Sequence, residues 1–166
     1  MKEEVILVNE ADEQVGVMEK MEAHEKGLLH RAFSVFIFND KGEMLLQQRA
    51  LNKYHSGGLW TNACCSHPRP GEDTLQAAKR RLKEEMGIET NLNFKTTFTY
   101  KTNFENGLTE YEYDHIFTGN YNSDPEINPS EVHSFCWKSI ESTKNSIKTL
   151  PQIYTSWFKI ALEKVF

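Results

Sequence analysis

The sequence is short of cysteine, of positive charge and of long apolar runs, and each shortage removes a class of protein. Three cysteines, Cys64, Cys65 and Cys136, cannot all pair, and the adjacent two would have to close a strained ring, so a disulfide framework finds no support. No stretch approaches the roughly 20 apolar residues needed to cross a bilayer. The N-terminal MKEEVILVNE lacks the basic, then apolar, then small-residue order of a secretion signal, and cytoplasmic residence without membrane attachment is the expectation. With 19 Lys and Arg against 24 Asp and Glu, the chain carries a net charge of −5, which argues against a nucleic-acid surface. A small phosphorylated ligand needs only a few local cations or a metal, and stays open. Internal repeats and low-complexity tracts are missing as well.

What is there suits one domain spanning residues 1–166. Hydrophobic residues make up 39% and charged residues 26%, the balance of a globular chain large enough to bury a continuous core. Strands are expected at Glu4–Asn9, Gln14–Met18, Phe33–Phe38, Glu43–Arg49, Leu59–Ser66, Phe94–Phe104, Leu108–Tyr121 and Val132–Lys138, with Asn39-Asp40-Lys41-Gly42 turning the first clear hairpin. A helix is expected from Thr74 to Met86, capped by Asp73, boxed by Gln76 and ended by Gly87, with Leu75, Ala78, Leu82 and Met86 on one face. A second follows Pro151, where Ile153, Trp157, Ile160, Ala161 and Val165 form a stripe. Strands before, between and after helices predict an α+β fold, a mixed sheet with helices on its faces. Nothing in the sequence fixes an oligomeric state.

The segment TNACCSHP, Thr61 to Pro68, admits three readings: a redox pair, a metal clip, or a reactive thiol beside a metal ligand. If it is extended, Ala63, Cys65 and His67 share one face while Asn62, Cys64 and Ser66 share the other. The same alternation in LTEYEYDH puts Glu110 and Glu112 together, with Tyr111 and Tyr113 opposite. One histidine and two carboxylates make a nitrogen-and-oxygen site suited to zinc, manganese or magnesium, and His24 and His30 in AHEKGLLH are further candidate ligands.

The first helix carries the strongest single signal. Glu72, Arg80, Glu84, Glu85, Gly87 and Ile88 match the Nudix pattern, in which carboxylates on one helical turn hold a divalent cation bridging diphosphate oxygens. Such residues more often form a solvated helix face. Two positions depart from the pattern: Ser66 stands where it begins with glycine, and Arg81 replaces the glutamate after Arg80. Loss of that glutamate weakens the case for pyrophosphate hydrolysis, whereas an added arginine favours holding a diphosphate intact through charge-assisted hydrogen bonds.

Taken in order, MEKMEAH, LHRAFS, LLQQRALNKY, GLWTNACCSHP, the altered Nudix helix, FTYK, TEYE and YTSWF make the sequence resemble the type 1 isopentenyl diphosphate isomerases along most of its length. The resemblance implies a Nudix-type mixed sheet sandwiched between helices. It implies a metal site of His24, His30, His67, Glu110 and Glu112 holding manganese, zinc or magnesium, and a magnesium ion bridging the substrate diphosphate to Glu85. The interval from His24 to His30 is one residue shorter than in some members of that family. Lys20, Arg49, Lys53 and Arg81 match the family's diphosphate-contacting cations. Glu112, supported by Tyr100, serves one face of the carbon chain and Cys65 the other, the thiol being tuned from a reference pKa of about 8.5 towards neutrality by nearby cations. Trp157 offers an electron-rich ring face to a carbocation, although its periodicity fits a core residue equally well. Cys64, Cys136 and Trp60 read as packing residues. The competing functions are a Nudix pyrophosphohydrolase of a nucleoside diphosphate derivative and a non-catalytic binding module with a structural metal.

Overall fold

Strand β3, His30–Phe38, organises the molecule, which a computed structural model describes over residues 2–166. The strands around it are β1 (Glu4–Val8), β2 (Gln14–Glu19), β4 (Glu43–Arg49), β5 (Trp60–Asn62), β6 (Cys64–Ser66), β7 (Asn93–Asn103), β8 (Thr109–Asn120) and β9 (Val132–Ser139). The helices are α1 (Lys20–Lys26), α2 (Thr74–Met86), α3 (Ile140–Thr149) and α4 (Ser156–Val165). Along one edge β3 pairs in parallel with β8 over its whole length, from His30 opposite Glu112 to Phe38 opposite Asn120. Its other edge is shared by three antiparallel partners: β1 at Leu7, β6 along Ser66 to Cys64, and β4 at Met44. β8 then carries β7, while β4 carries β5 and β9, completing a mixed sheet.

Period-2 alternation in β3 divides the core. Phe33, Val35 and Ile37 face α2, where they pack with Ala77, Ala78, Leu82 and Met86. Phe36 faces the other way and packs with Tyr100, Ile116, Trp157 and Phe158 beneath α4. Helix α2 matches its expected bounds; the Asp73 side chain accepts the Gln76 N–H at 3.1 Å. Gly87 ends it at φ 64°, and a Cβ there would lie 2.8 Å from Glu126 Cβ, so the position requires glycine on both conformational and steric grounds.

Three expectations need correction. The extended run Thr61 to His67 is broken at Ala63, which separates β5 from β6. Ala63 consequently packs with Cys64 in the α2 core instead of sharing a face with Cys65, and Asn62 turns its side chain towards Cys65. Helices α1 and α3 were not foreseen; each has a capping side chain, Glu19 and Ser139 respectively, accepting a backbone N–H of the first turn.

Candidate active site

Register builds the site. His30 of β3, Glu112 of β8 and Tyr100 of β7 lie in one row across three adjacent strands. Glu110 and Asp114 flank Glu112 on the same face by alternation, and all three carboxylates are buried. Short helix α1 adds His24, then ends at Gly27, whose φ of 64° lets the chain turn back into β3 and whose missing Cβ leaves room beside Thr109. His67 enters immediately after β6. The shortened interval thus still brings His24 to the centre, with its ring 5.1 Å from that of His30 and 5.9 Å from that of His67.

The donor atoms of His24, His30, His67 and Glu112 all lie within 4.8 Å of one another. Outer hydrogen bonds fix the rings: His24 Nδ1–H donates to the Lys20 carbonyl at 2.7 Å, and His30 Nδ1–H to the Leu28 carbonyl at 2.9 Å. A carbonyl can only accept, so these protons sit on Nδ1 and the Nε2 lone pairs point inwards. His30 and His67 bring their Nε2 atoms to 3.3 Å, and each approaches Glu112 Oε2, at 3.2 and 2.6 Å. His24 Nε2 is buried without a hydrogen-bond partner. Converging lone pairs of this kind repel unless a proton or a cation lies between them, so the donor set fits a divalent metal.

Protonation preferences agree with that reading. Burial raises both Glu110 and Glu112, and the Glu112 charge raises Glu110 further, but the surrounding histidines outweigh these effects, holding Glu110 at about 2 and Glu112 well below the usual range. Burial lowers His67, and its attraction to Glu112 does not restore it. Burial also lowers His24, yet Glu110 and the Lys20 carbonyl more than compensate and raise it. Tyr100 is bonded to Glu110 Oε1 and Glu112 Oε1, its single hydroxyl proton serving the two carboxylates.

Cys65 faces the same cavity. That cavity, about 30 Å³, is lined by Cys65, Glu112, Tyr100, Trp157, Arg49 and neighbouring residues, and its walls must part for any ligand larger than a water. A broader depression of about 660 Å³ lies over α2 between Gln76 and Asn91, lined by exposed polar residues that include the Lys83–Glu89 ion pair and by no histidine or cysteine. The Cys65 thiol donates to Asn62 Oδ1 at 3.0 Å and lies 3.4 Å from Ser34 Oγ, whose proton goes to Asp114 Oδ2 at 2.7 Å. Burial and the Asp114 carboxyl push the thiol up to about 12, and the hydrogen bonds with Ser34, Asn62 and Trp157 offset them only in part. Cys64 points away, is fully buried, and donates to Glu85 Oε2 at 3.2 Å.

Of the four expected diphosphate cations, Lys53 and Arg81 share Glu131, while Lys20 and Arg49 make contacts of their own. Lys20 pairs with Glu3 at 2.7 Å, Lys53 with Glu131, and Arg81 reaches Glu84, Glu85 and Glu131 at 2.7, 3.1 and 3.5 Å. Arg49 lies over the Trp157 ring, 5.1 Å from its centroid. Of the helix carboxylates only Glu85 turns inwards; Glu72 is held by a two-pronged Arg80 contact at 2.8 and 2.9 Å, and Glu84 is shared by Arg80 and Arg81.

Two site residues escaped the sequence reading. Asp114 was signalled by the alternation that paired Glu110 with Glu112. His55 had no such signal, since it lies in an irregular loop between β4 and β5; its Nε2 sits 3.0 Å from Glu110 Oε2 without hydrogen-bond alignment.

Comparison with known proteins places these residues in context. Residues 28–158 match the NUDIX domain family. Over 162 residues the chain is 51% identical to the isopentenyl-diphosphate Delta-isomerase of Pectobacterium atrosepticum, covering 98% of this chain and 90% of that protein. It is 46% identical over 165 residues to isopentenyl-diphosphate Delta-isomerase 2 of Aromatoleum aromaticum, covering 99% and 87%. A crystallised Deinococcus radiodurans protein superposes with a TM-score of 0.83 over 99% of both chains at 18% identity, a likeness of fold.

Proposed function

The chain belongs to the Nudix family and, within it, to the isopentenyl-diphosphate Delta-isomerases, and from that premise we propose that Cys65 and Glu112 are the proton-transfer groups that move the double bond of a five-carbon diphosphate. The enzyme is an isomerase interconverting isopentenyl diphosphate and dimethylallyl diphosphate for isoprenoid biosynthesis. The terminal alkene carbon gains a proton, a tertiary carbocation forms, and the neighbouring methylene loses a proton. No bond to phosphorus breaks. An acid and a base must therefore flank the carbon chain, and the observation that carries the assignment is that Cys65 from β6 and Glu112 from β8 line one cavity with Tyr100 and Trp157.

The chain's own residues divide the remaining work. Tyr100 shares its proton with Glu112 and Glu110, orienting the acid. The Trp157 ring closes the carbon end, where water must be excluded to protect a carbocation and where an electron-rich face stabilises positive charge. Lys20, Lys53 and Arg81 exchange their present carboxylate partners for the diphosphate, and Arg49 joins them. His24, His30, His67, Glu110 and Glu112 would hold manganese, zinc or magnesium, and Glu85 would meet a magnesium ion carried by the diphosphate. When bound, the cations would supply positive charge that keeps Glu112 oriented and neutralises the phosphates.

A pyrophosphohydrolase is the second reading, and the helix disfavours it. Glu72 and Glu84 are committed to Arg80, and Arg81 occupies the position of a further acid. Incubation with isopentenyl diphosphate and a divalent cation in deuterated water decides between the two. Deuterium in the product methyl group is expected; phosphate release without isomerised product would replace the isomerase with the hydrolase.

A further inference from the structure

The break at Ala63 leaves Asn62, the last residue of β5, fully buried beside Cys65, and every hydrogen-bonding position of its side-chain amide is filled. Its Nδ2 donates to the Val35 carbonyl at 2.9 Å and to the Cys64 carbonyl at 3.0 Å. Its Oδ1 accepts the Thr61 hydroxyl at 2.9 Å and the Cys65 thiol at 3.0 Å. An amide has two N–H donors and two acceptor lone pairs, and here all four are used. Turning the amide over would set Oδ1 against two carbonyl oxygens, so those carbonyls fix Oδ1 towards the thiol.

The line of donors continues away from the cavity to the helix that carries Trp157. Thr155, the N-cap of α4, donates its hydroxyl proton to Thr61 Oγ1 at 3.1 Å and accepts the Phe158 N–H at 3.3 Å. The Thr155 N–H itself reaches the Trp60 carbonyl at 3.0 Å. Both threonines are buried, and each hydroxyl has one proton, spent on the next oxygen towards Asn62. On the other side of the thiol, Ser34 Oγ is farther away at 3.4 Å and its own proton is spent on Asp114, so Asn62 is the nearer acceptor.

We propose that Asn62 is a positioning residue for the isomerisation: it holds the Cys65 thiol in one rotamer facing the cavity and, through Thr61 and Thr155, sets that sulfur in register with Trp157. A bracket for the strand break alone would need only the two carbonyl bonds. The two acceptor bonds do something else, joining the thiol of β6 to the first turn of α4. This role presupposes that Cys65 transfers a proton, and the measurements below separate the two claims.

In a chain carrying Cys64→Ala and Cys136→Ala, Cys65 is the single thiol, and the infrared S–H stretch reads its acceptor. Thr61→Val keeps the side-chain shape but gives Oδ1 no second proton, so it should strengthen the thiol's hydrogen bond and move the band to lower frequency, whereas Ser34→Ala should leave the band in place. Because the link to α4 is cut, Thr61→Val should also lower kcat by roughly 5–10-fold, the equivalent of one neutral hydrogen bond, with KM unchanged; Thr61→Ser should restore it. Asn62→Ala should lower kcat by roughly 10²-fold, the effect of misplacing a reacting group by about 1 Å. Should that variant fail to fold, because the Val35 and Cys64 carbonyls lose their donors, Thr61→Val carries the test. A band that moves with Ser34→Ala and not with Thr61→Val, or a Thr61→Val chain that loses urea stability at unchanged kcat, overturns the positioning role. Native kcat in Cys65→Ala would remove the premise, and the role of Asn62 with it.

Discussion

Cys64 and Cys65 are consecutive, yet the strand turns one towards α2 and the other towards the His/Glu cup, and their substitutions should differ accordingly. Cys65→Ala removes a proton-transfer group and should lower kcat by roughly 10²–10⁴-fold. Cation binding, measured by dialysis, and the unfolding midpoint in urea should stay close to native. Cys64→Ala loses packing and a weak donor to Glu85, so it should keep most activity and cost about 1 kcal/mol of stability. The reverse pattern would show that the register of β6 is misassigned. Arg49→Ala and Lys53→Ala act on a group that does not change during the reaction, so KM should rise more than kcat falls. Glu112→Gln should abolish turnover, since the proton-transfer group and a cation donor go together. At this scale the sequence was informative where side chains alternate regularly, as at Glu110, Glu112 and His67. It was silent at His55, because an irregular loop has no period from which a side chain's direction can be read.

Helix α2 shows how a local signal becomes a positioned carboxylate. Asp73 caps its first turn, Glu72 is pinned by Arg80, and Gly87 ends it, so that Glu85 on the last turn is buried beside Cys64 and Arg81. Asp73→Ala should cost about 1 kcal/mol, read from urea unfolding, with little change in KM because Glu85 lies three turns away. The caps and apolar face were legible because they are contained in one continuous segment. Helix α1 was not: its seven residues, KMEAHEK, have too short a span for an apolar stripe, and only Ala23 and His24 are buried. Its existence depends on Glu19, Gly27 and the sheet it rests against. Helix α3 is similarly hidden, since IESTKNSIKT buries only Thr143 and is rich in residues that compete with helical hydrogen bonds.

Across the whole molecule the sheet separates two tasks: its α2 face holds a dry core and its other face a cluster of buried ionisable groups. The sequence could name most members of that cluster but not the pairing of β3 with β6 and β8 that gathers them, because residues as distant as 30, 67 and 112 meet only through long-range register. The energetic consequence is a folded state whose polar interior lacks full internal compensation, so stability should be linked to cation concentration. A ligand that binds only the folded chain contributes about 2.7 kcal/mol at 100 times its Kd. For a chain of this length each kcal/mol moves Tm by roughly 2–4 °C, so removing the cation should lower Tm by about 5–10 °C. The lost stability should return on adding Mn²⁺ or Zn²⁺ in a concentration-dependent manner, and turnover should return with it. Replacing His67 with alanine should reduce that dependence, since one of the four mutually close donors is gone. A Tm unmoved by chelation, measured by calorimetry with complete metal removal verified, would mean that the buried histidines and carboxylates are satisfied by their own proton sharing and that the cup is not a cation centre.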